Sequence, residues 1–144
     1  MICTMATEVY ELALYLHLAR ASETRQQMLV RDRLLVIAAS IAVDEGLPLI
    51  AACCRQKILD HNPGHLVRRW RPGVDANSDP DFQTFLKQMR RRYPREKAEQ
   101  MLASLGLDMA RERETYYSDN EYAAALLGVT PKQLQSRFGN AEAG

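Results

Sequence analysis

Residues 34–43, LLVIAASIAV, decide the fold of this chain. They contain no charged residue, and they are only half as long as the roughly 20 residues that a membrane-spanning helix needs. Apolar positions recur here at helical spacings of three and four, namely Val30, Leu34, Ile37, Ala38 and Ile41. Ser22 is a candidate N-cap, and Gly46 follows the last periodic residues. The pattern predicts a helix from Ser22 to Glu45 that forms the centre of the core.

The rest of the chain also shows helical periods, and most prolines stand just before such a segment. The predicted helices are 7–20, 49–61, 63–70, 80–92, 94–105 and 108–117, followed by a C-terminal pair within 118–139. No segment alternates between apolar and polar residues as a strand does. The expected fold class is all-α, a compact orthogonal or bundle-like array of about seven to eight helices.

Length and composition indicate one soluble domain over residues 1–144. The chain has 47% hydrophobic and 26% charged residues and a net charge of +1, so it has no overall attraction to nucleic acid or membrane. Residues 71–79, RPGVDANSD, have linker composition and divide two possible sub-units, 1–70 and 79–144. The N-terminus does not resemble a secretory signal, and three cysteines make a poor disulfide framework. We expect a cytoplasmic protein with free thiols and no membrane association.

Residues 118–139, SDNEYAAALLGVTPKQLQSRFG, carry local signals for two short helices. Ser118 with Glu121 and Thr130 with Gln133 have the spacing of two capping boxes. Gly128 stands where the first helix needs a left-handed residue to end. The segment predicts helices of about nine and eight residues with a turn of about three, which is the spacing of a helix-turn-helix.

This pair resembles the helix-turn-helix of AraC-type bacterial regulators. The matching positions are Ala124, Gly128, Val129, Thr130, Pro131, Leu134 and Phe138. The resemblance implies that the exposed residues of the second helix would face the DNA major groove, namely Lys132, Gln133, Gln135, Ser136 and Arg137. The alternative is a packed helical corner. Residues 118–144 favour the alternative, because two basic residues against three acidic ones give a net charge of −1.

A second candidate site is the basic segment 68–97. It holds nine Lys and Arg against four Asp and Glu, a net charge of +5, whereas the rest of the chain has −4. One interpretation is a surface for an anionic partner such as RNA, with Arg90, Arg91 and Arg92 at its centre and Trp70 and Tyr93 as stacking surfaces. The other is that these arginines are solvated at a helix C-terminus or paired with acidic residues such as Glu112 and Glu114.

Metal binding has weak candidates in Cys53, Cys54, His61 and His65, which are ligand types that zinc uses. The side chains of Cys53 and Cys54, adjacent on a helix, would point about 100° apart and would not readily bind the same ion. Pro63 interrupts the helix between His61 and His65, so these two histidines are not expected to share a helical turn. We expect no metal and no cofactor.

No catalytic motif stands out, although an unmarked pair such as Asp60 with His61 would be invisible in sequence. We therefore expect a non-enzymatic helical binding protein whose partner is another protein or a second copy of the chain. The observation behind this expectation is the number of apolar side chains on the first three helices, which exceeds what a monomer of this size is expected to hide. The alternative is a nucleic-acid-binding regulatory protein.

Overall fold

The computed structural model describes residues 7–70 and 74–143, with side chains within 10–70 and 76–139. These residues form nine α-helices and one 3₁₀ helix, and they contain no strand, which confirms the all-α fold class. The α-helices are α1 Thr7–Thr24, α2 Met28–Asp44, α3 Pro48–His61, α4 Val74–Ser78, α5 Pro80–Arg92, α6 Arg95–Ala103, α7 Met109–Arg113, α8 Asp119–Leu126 and α9 Pro131–Ala143. The 3₁₀ helix, Leu66–Arg69, lies between α3 and α4.

Helix α2 is the centre of the core, as its apolar run predicts. It packs against α1 and α3, and α4 and α5 also contact it. Residues 34–38 within α2 are at most 1% exposed. One cluster of buried apolar side chains joins residues from before and after positions 71–79.

The later helices cover two different sides of α1. The Tyr15 hydroxyl donates a hydrogen bond to the backbone oxygen of Tyr93 at 2.7 Å, where α5 ends. His17 contacts Tyr122 of α8 instead, with 2.9 Å between Nε2 and the hydroxyl oxygen. Residues two apart project about 200° from each other around a helix. The Arg-rich end of α5 and helix α8 therefore lie against opposite sides of α1, while α9 packs on α3 and α8.

The first helix boundary differs from the prediction, because Ser22 is a buried residue of α1 and not the N-cap of α2. The chain leaves α1 through Gln26, which has a left-handed φ of 60°. The backbone N–H of Gln27 donates to Ser22 O and that of Gln26 donates to Glu23 O. This is the hydrogen-bond pattern of a Schellman motif, which normally uses glycine at the left-handed position. The sequence does not predict this end of α1, because glutamine is not a residue typical of the left-handed position.

Four other boundaries differ from the predictions. Asn62 accepts a hydrogen bond from the backbone N–H of Gly64, so the chain turns there and only the 3₁₀ helix follows. Helix α4 occupies part of the segment predicted as a linker. Helix α7 is short and ends at Arg113. Gly139 lies within α9 and does not end it.

Most of the described apolar side chains of α1 to α3 are buried within one chain. Their core members are at most 4% exposed, among them Leu14, Ile37 and Ile50. The large apolar side chains that are exposed in the described part of the chain are Leu29, which lies on α2, and Leu66, Leu107 and Tyr117. The apolar surface left on these three helices is therefore small, with Leu29 as its largest exposed side chain in the described residues. Among the described helices, none has the length and hydropathy required to span a bilayer.

Candidate binding groove

Three adjoining depressions form a groove along the C-terminal half of α1, which we call the α1 groove. The first, the His17 cleft, is lined by His17, Arg20, Ala21, Thr24, Arg25, Leu105, Leu107 and Glu112. The second, the central hollow, is lined by Leu16, Ala19, Arg20, Glu23, Arg31, Leu35, Lys57, Leu126 and Leu127. The third, the His61 cleft, is lined by Glu23, Met28, Arg31, Lys57, Asp60 and His61. Neighbouring depressions share residues, so the surface is continuous.

The His17 cleft is open and has a volume of about 520 Å³. His17 is 5% exposed, and its Nε2 lies 3.2 Å from Glu112 Oε1 and 2.9 Å from the Tyr122 hydroxyl oxygen. Burial lowers the pKa of His17, although the Glu112 carboxylate opposes this shift. Burial also raises the pKa of Tyr122, and the negative charge of Glu112 adds to that shift. A neutral His17 and a protonated Tyr122 therefore join α1, α7 and α8 at the base of this cleft.

Two histidines, the buried His17 and the half-buried His65, predict a loss of stability in acid. Burial lowers the pKa of both His17 and His65, so near pH 6 the unfolded chain binds more protons than the folded chain. The free energy of unfolding should be retained above the unfolded pKa of about 6.5 and fall below it, by up to about 1.4 kcal/mol per pH unit for each histidine. Urea unfolding between about pH 8 and about pH 5 measures this slope. His17→Gln should reduce it, and unchanged slopes in both His17→Gln and His65→Gln would contradict the prediction.

The central hollow has an apolar floor and a charged rim. Leu16, Leu35 and Leu126 come from α1, α2 and α8 and are buried. Above them stand Arg20, which is exposed, and Glu23. The inner volume of this half-open hollow is about 30 Å³, which leaves room at its floor for a small aliphatic group.

The His61 cleft rests on a buried ionic network. Arg31 donates from Nη2 to Asp32 Oδ1 at 3.0 Å and from Nη1 to Glu23 Oε1 at 2.7 Å. It also donates to the backbone oxygen of Lys57 at 2.9 Å. The second oxygen of Asp32 lies 2.7 Å from His61 Nδ1. The buried carboxylate of Asp32, which is 2% exposed, holds Arg31 and His61 in place, while His61 remains open to the cleft.

The proposed metal candidates serve other roles. Cys54 is fully buried, and burial raises the pKa of its thiol well above the ordinary value. His61 pairs with Asp32, and His65 Nδ1 accepts a hydrogen bond from the backbone N–H of Val67. Within the described residues no three His, Cys, Asp or Glu side chains share a metal-binding geometry. Asp60 contacts Gln56 and not His61, while Cys3 lies outside the described residues.

The basic segment is only partly neutralised. Arg90 Nη1 lies 3.5 Å from Glu11 Oε1, so its acidic neighbour is on α1 and is neither Glu112 nor Glu114. Arg91 and Arg92 are exposed and form no ion pair within the described part of the chain. The predicted stacking surfaces are largely closed, because Trp70 and Tyr93 are each 8% exposed.

The C-terminal helices form the predicted hairpin. Helix α8 has 8 residues and α9 has 13, and Gly128 adopts a left-handed φ of 79° between them. The side chain of Gln133 accepts a hydrogen bond from the backbone N–H of Thr130, so it serves as part of the cap. The predicted reader residues Lys132, Gln135 and Arg137 are exposed. Leu134 is fully buried, and α9 packs on α3 as well as on α8.

Comparisons of the chain with models of protein families, with curated proteins and with solved structures find no match.

Proposed function

We propose that this protein binds an extended segment of a partner polypeptide along the α1 groove. The observation that carries the proposal is the continuity of the groove. Arg20 borders both the His17 cleft and the central hollow, while Glu23, Arg31 and Lys57 border both the hollow and the His61 cleft. A compact ligand would need one closed cavity. Three adjoining open depressions instead suit an extended peptide whose successive side chains occupy them in turn.

The dimensions support an extended ligand. The stretch of α1 from His17 to Thr24 measures about 10 Å, which equals about three residues of an extended chain. The hollow is the one depression of the three with a mainly apolar floor, and it lies between two charged clefts. An apolar anchor in a small pocket with a polar rim is the usual arrangement of a binding hot spot. We assign the hollow to one small aliphatic side chain of the partner.

The charges of the groove give the partner segment a direction. Arg20 and Arg25 border the His17 cleft, are exposed, and form no ion pair among the described residues. At the other end Asp60 is exposed and forms one hydrogen bond, from Gln56. A complementary segment carries an acidic residue near Arg20 and Arg25, an aliphatic residue at the hollow and a basic residue near Asp60.

Selection from a phage-displayed library of random peptides tests this function with the full chain. The enriched peptides should share an acidic residue and a small aliphatic residue a few positions apart, and fluorescence polarisation then gives their dissociation constants. The double variant Arg20→Glu/Arg25→Glu should weaken binding by about tenfold or more, since each like-charge contact costs affinity. The matched control is Arg91→Glu/Arg92→Glu, which reverses the same charges away from the groove.

Two results would overturn the proposal. One is a selection that enriches no peptide above the background of the library. The other is a set of peptides that bind both double variants with equal affinity. In either case the groove is a surface between packed helices and not a binding site.

Nucleic-acid binding is the second candidate, and the exposed, unpaired Arg91 and Arg92 are the observation that favours it. Lys132 and Arg137 lie on α9, which packs on α3 and α8, whereas Arg91 and Arg92 lie at the end of α5, which packs on α2 and α4. The two basic regions therefore belong to different parts of the helix array. A titration of labelled duplex DNA and single-stranded RNA at low salt tests this candidate. Salt-dependent binding that Arg91→Glu/Arg92→Glu abolishes would favour it over the peptide-binding function.

A further inference from the structure

One buried polar atom in the described part of the chain has no hydrogen-bond partner, and it is Asn77 Oδ1 on α4. The orientation of this amide is fixed, because its Nδ2 donates to Ser40 O at 3.1 Å and to Asp44 Oδ1 at 3.0 Å. Rotating the amide by 180° would place an oxygen against these two oxygens. The acceptor therefore remains unsatisfied, at a cost of about 1–3 kcal/mol unless a donor occupies the adjacent space.

Asn77 also lines an apolar hollow between α2, α3, α4 and α5. The apolar residues of its walls are Val36, Ala39, Val43, Ala51, Ile58, Val67, Trp70, Ala76 and Phe82, and its polar residues besides Asn77 are Ser40 and Arg55. The inner cavity has a volume of about 40 Å³, and the hollow reaches about 390 Å³ when its half-open mouth is included. A mostly apolar pocket with a few fixed polar groups is the usual form of a small-molecule site.

We propose that this hollow, which we call the Asn77 pocket, binds a small neutral molecule that has an apolar body and one hydroxyl or N–H donor. The donor would reach Asn77 Oδ1 in the inner cavity, and the apolar body would lie against Trp70 and Phe82 at the mouth. The ligand is neutral because a carboxylate has only acceptors to offer to the unpaired acceptor of Asn77. Arg55, which also lines the pocket, already donates to the backbone oxygens of Trp70 at 2.8 Å and Arg68 at 3.2 Å. The site is independent of the α1 groove, since the two share no lining residue.

The single tryptophan of the chain gives a direct readout, because Trp70 lines the pocket. The probes are 1-butanol, its isomer methyl propyl ether, which lacks a donor, and butyrate, which is charged. We expect a saturable change in tryptophan fluorescence with 1-butanol and a dissociation constant about tenfold lower than that of the ether. In Asn77→Ala the alcohol and the ether should bind within about threefold of each other.

Circular dichroism checks that Asn77→Ala is folded, and the comparison of alcohol with ether on the unchanged chain does not depend on the variant. Equal affinities for the alcohol and the ether would overturn the proposal. So would the absence of any saturable response, tighter binding of butyrate than of 1-butanol, or full selectivity for the alcohol in a folded Asn77→Ala protein.

Discussion

Replacing Asp32 with alanine should lower the free energy of unfolding by about 3–5 kcal/mol. The Asp32 side chain is 3% exposed and accepts hydrogen bonds from Arg31 Nε at 3.2 Å and Nη2 at 3.0 Å, while His61 Nδ1 lies 2.7 Å from its second oxygen. The variant leaves the buried Arg31 guanidinium with Glu23 and one backbone oxygen only. An uncompensated buried charge is among the most destabilising changes a single substitution makes. Urea denaturation of the two proteins at neutral pH measures the difference.

Asp60→Ala is the matched control, because Asp60 is also an aspartate of the His61 cleft but is exposed and bonded only to Gln56. It should change stability by no more than about 0.5 kcal/mol. Asp32→Asn, which keeps the shape of the side chain and removes its charge, should fall between the two. A loss below about 1 kcal/mol for Asp32→Ala would show that Arg31 finds adequate solvation without its neighbour.

Much of the fold could be predicted because its signals are local. The helix starts at Ser118 and Thr130 have the predicted caps, and Asp79 and Asp108 cap α5 and α7 in the same way, with a side-chain oxygen accepting from a backbone N–H two or three residues later. Such caps need only a few neighbouring residues to form. The apolar run in α2 likewise identifies the core helix without knowledge of its partners.

The features that could not be predicted depend on contacts between distant parts of the chain. Gln26 adopts a left-handed φ with no glycine to announce it. Ser22 is a good N-cap residue by type, yet it is buried within α1. Helix α4 forms in a segment of turn-forming residues, where it packs on α2 and α5. In each case tertiary packing outweighs the local preference of the sequence.

The α1 groove was not predicted, since its lining comes from α1, α2, α3, α7, the end of α8 and the connection between α6 and α7. His17 and Tyr122, which meet below the His17 cleft, are 105 positions apart in sequence. Asp32 is one charged residue among several near the start of α2, and nothing in its neighbours marks it as buried. The sequence shows which residues are charged, but only the fold shows which of them are buried together and can form a site.

The effective charge of the basic segment also depends on contacts with a distant part of the chain. Its net charge of +5 describes residues 68–97 alone, but Glu11 of α1 lies within ion-pair distance of both Arg90 and Arg95. The surface that an anion would meet is therefore less basic than the segment. Only a fold can show which charges of one segment are neutralised by another.

Leu134→Ala should lower the free energy of unfolding by about 2–5 kcal/mol, because Leu134 is fully buried and alanine leaves a cavity. Helix α9 packs on α3 and α8, and the end of α8 with its C-cap supplies Leu126 and Leu127 to the central hollow. The variant should therefore also weaken peptide binding at the α1 groove. Gln135→Ala, next in sequence and exposed, is the control and should change stability by no more than about 0.5 kcal/mol.

The comparison of these two variants separates the two interpretations of the C-terminal hairpin. A packed helical corner needs Leu134 for stability and tolerates changes at its exposed residues. A DNA-reading helix also needs Leu134, but in addition loses DNA affinity when Gln135 or Arg137 is replaced. Duplex affinity that falls in Gln135→Ala at unchanged stability would assign the hairpin to DNA, whereas Gln135→Ala and Arg137→Ala without effect on either measurement would assign it to packing.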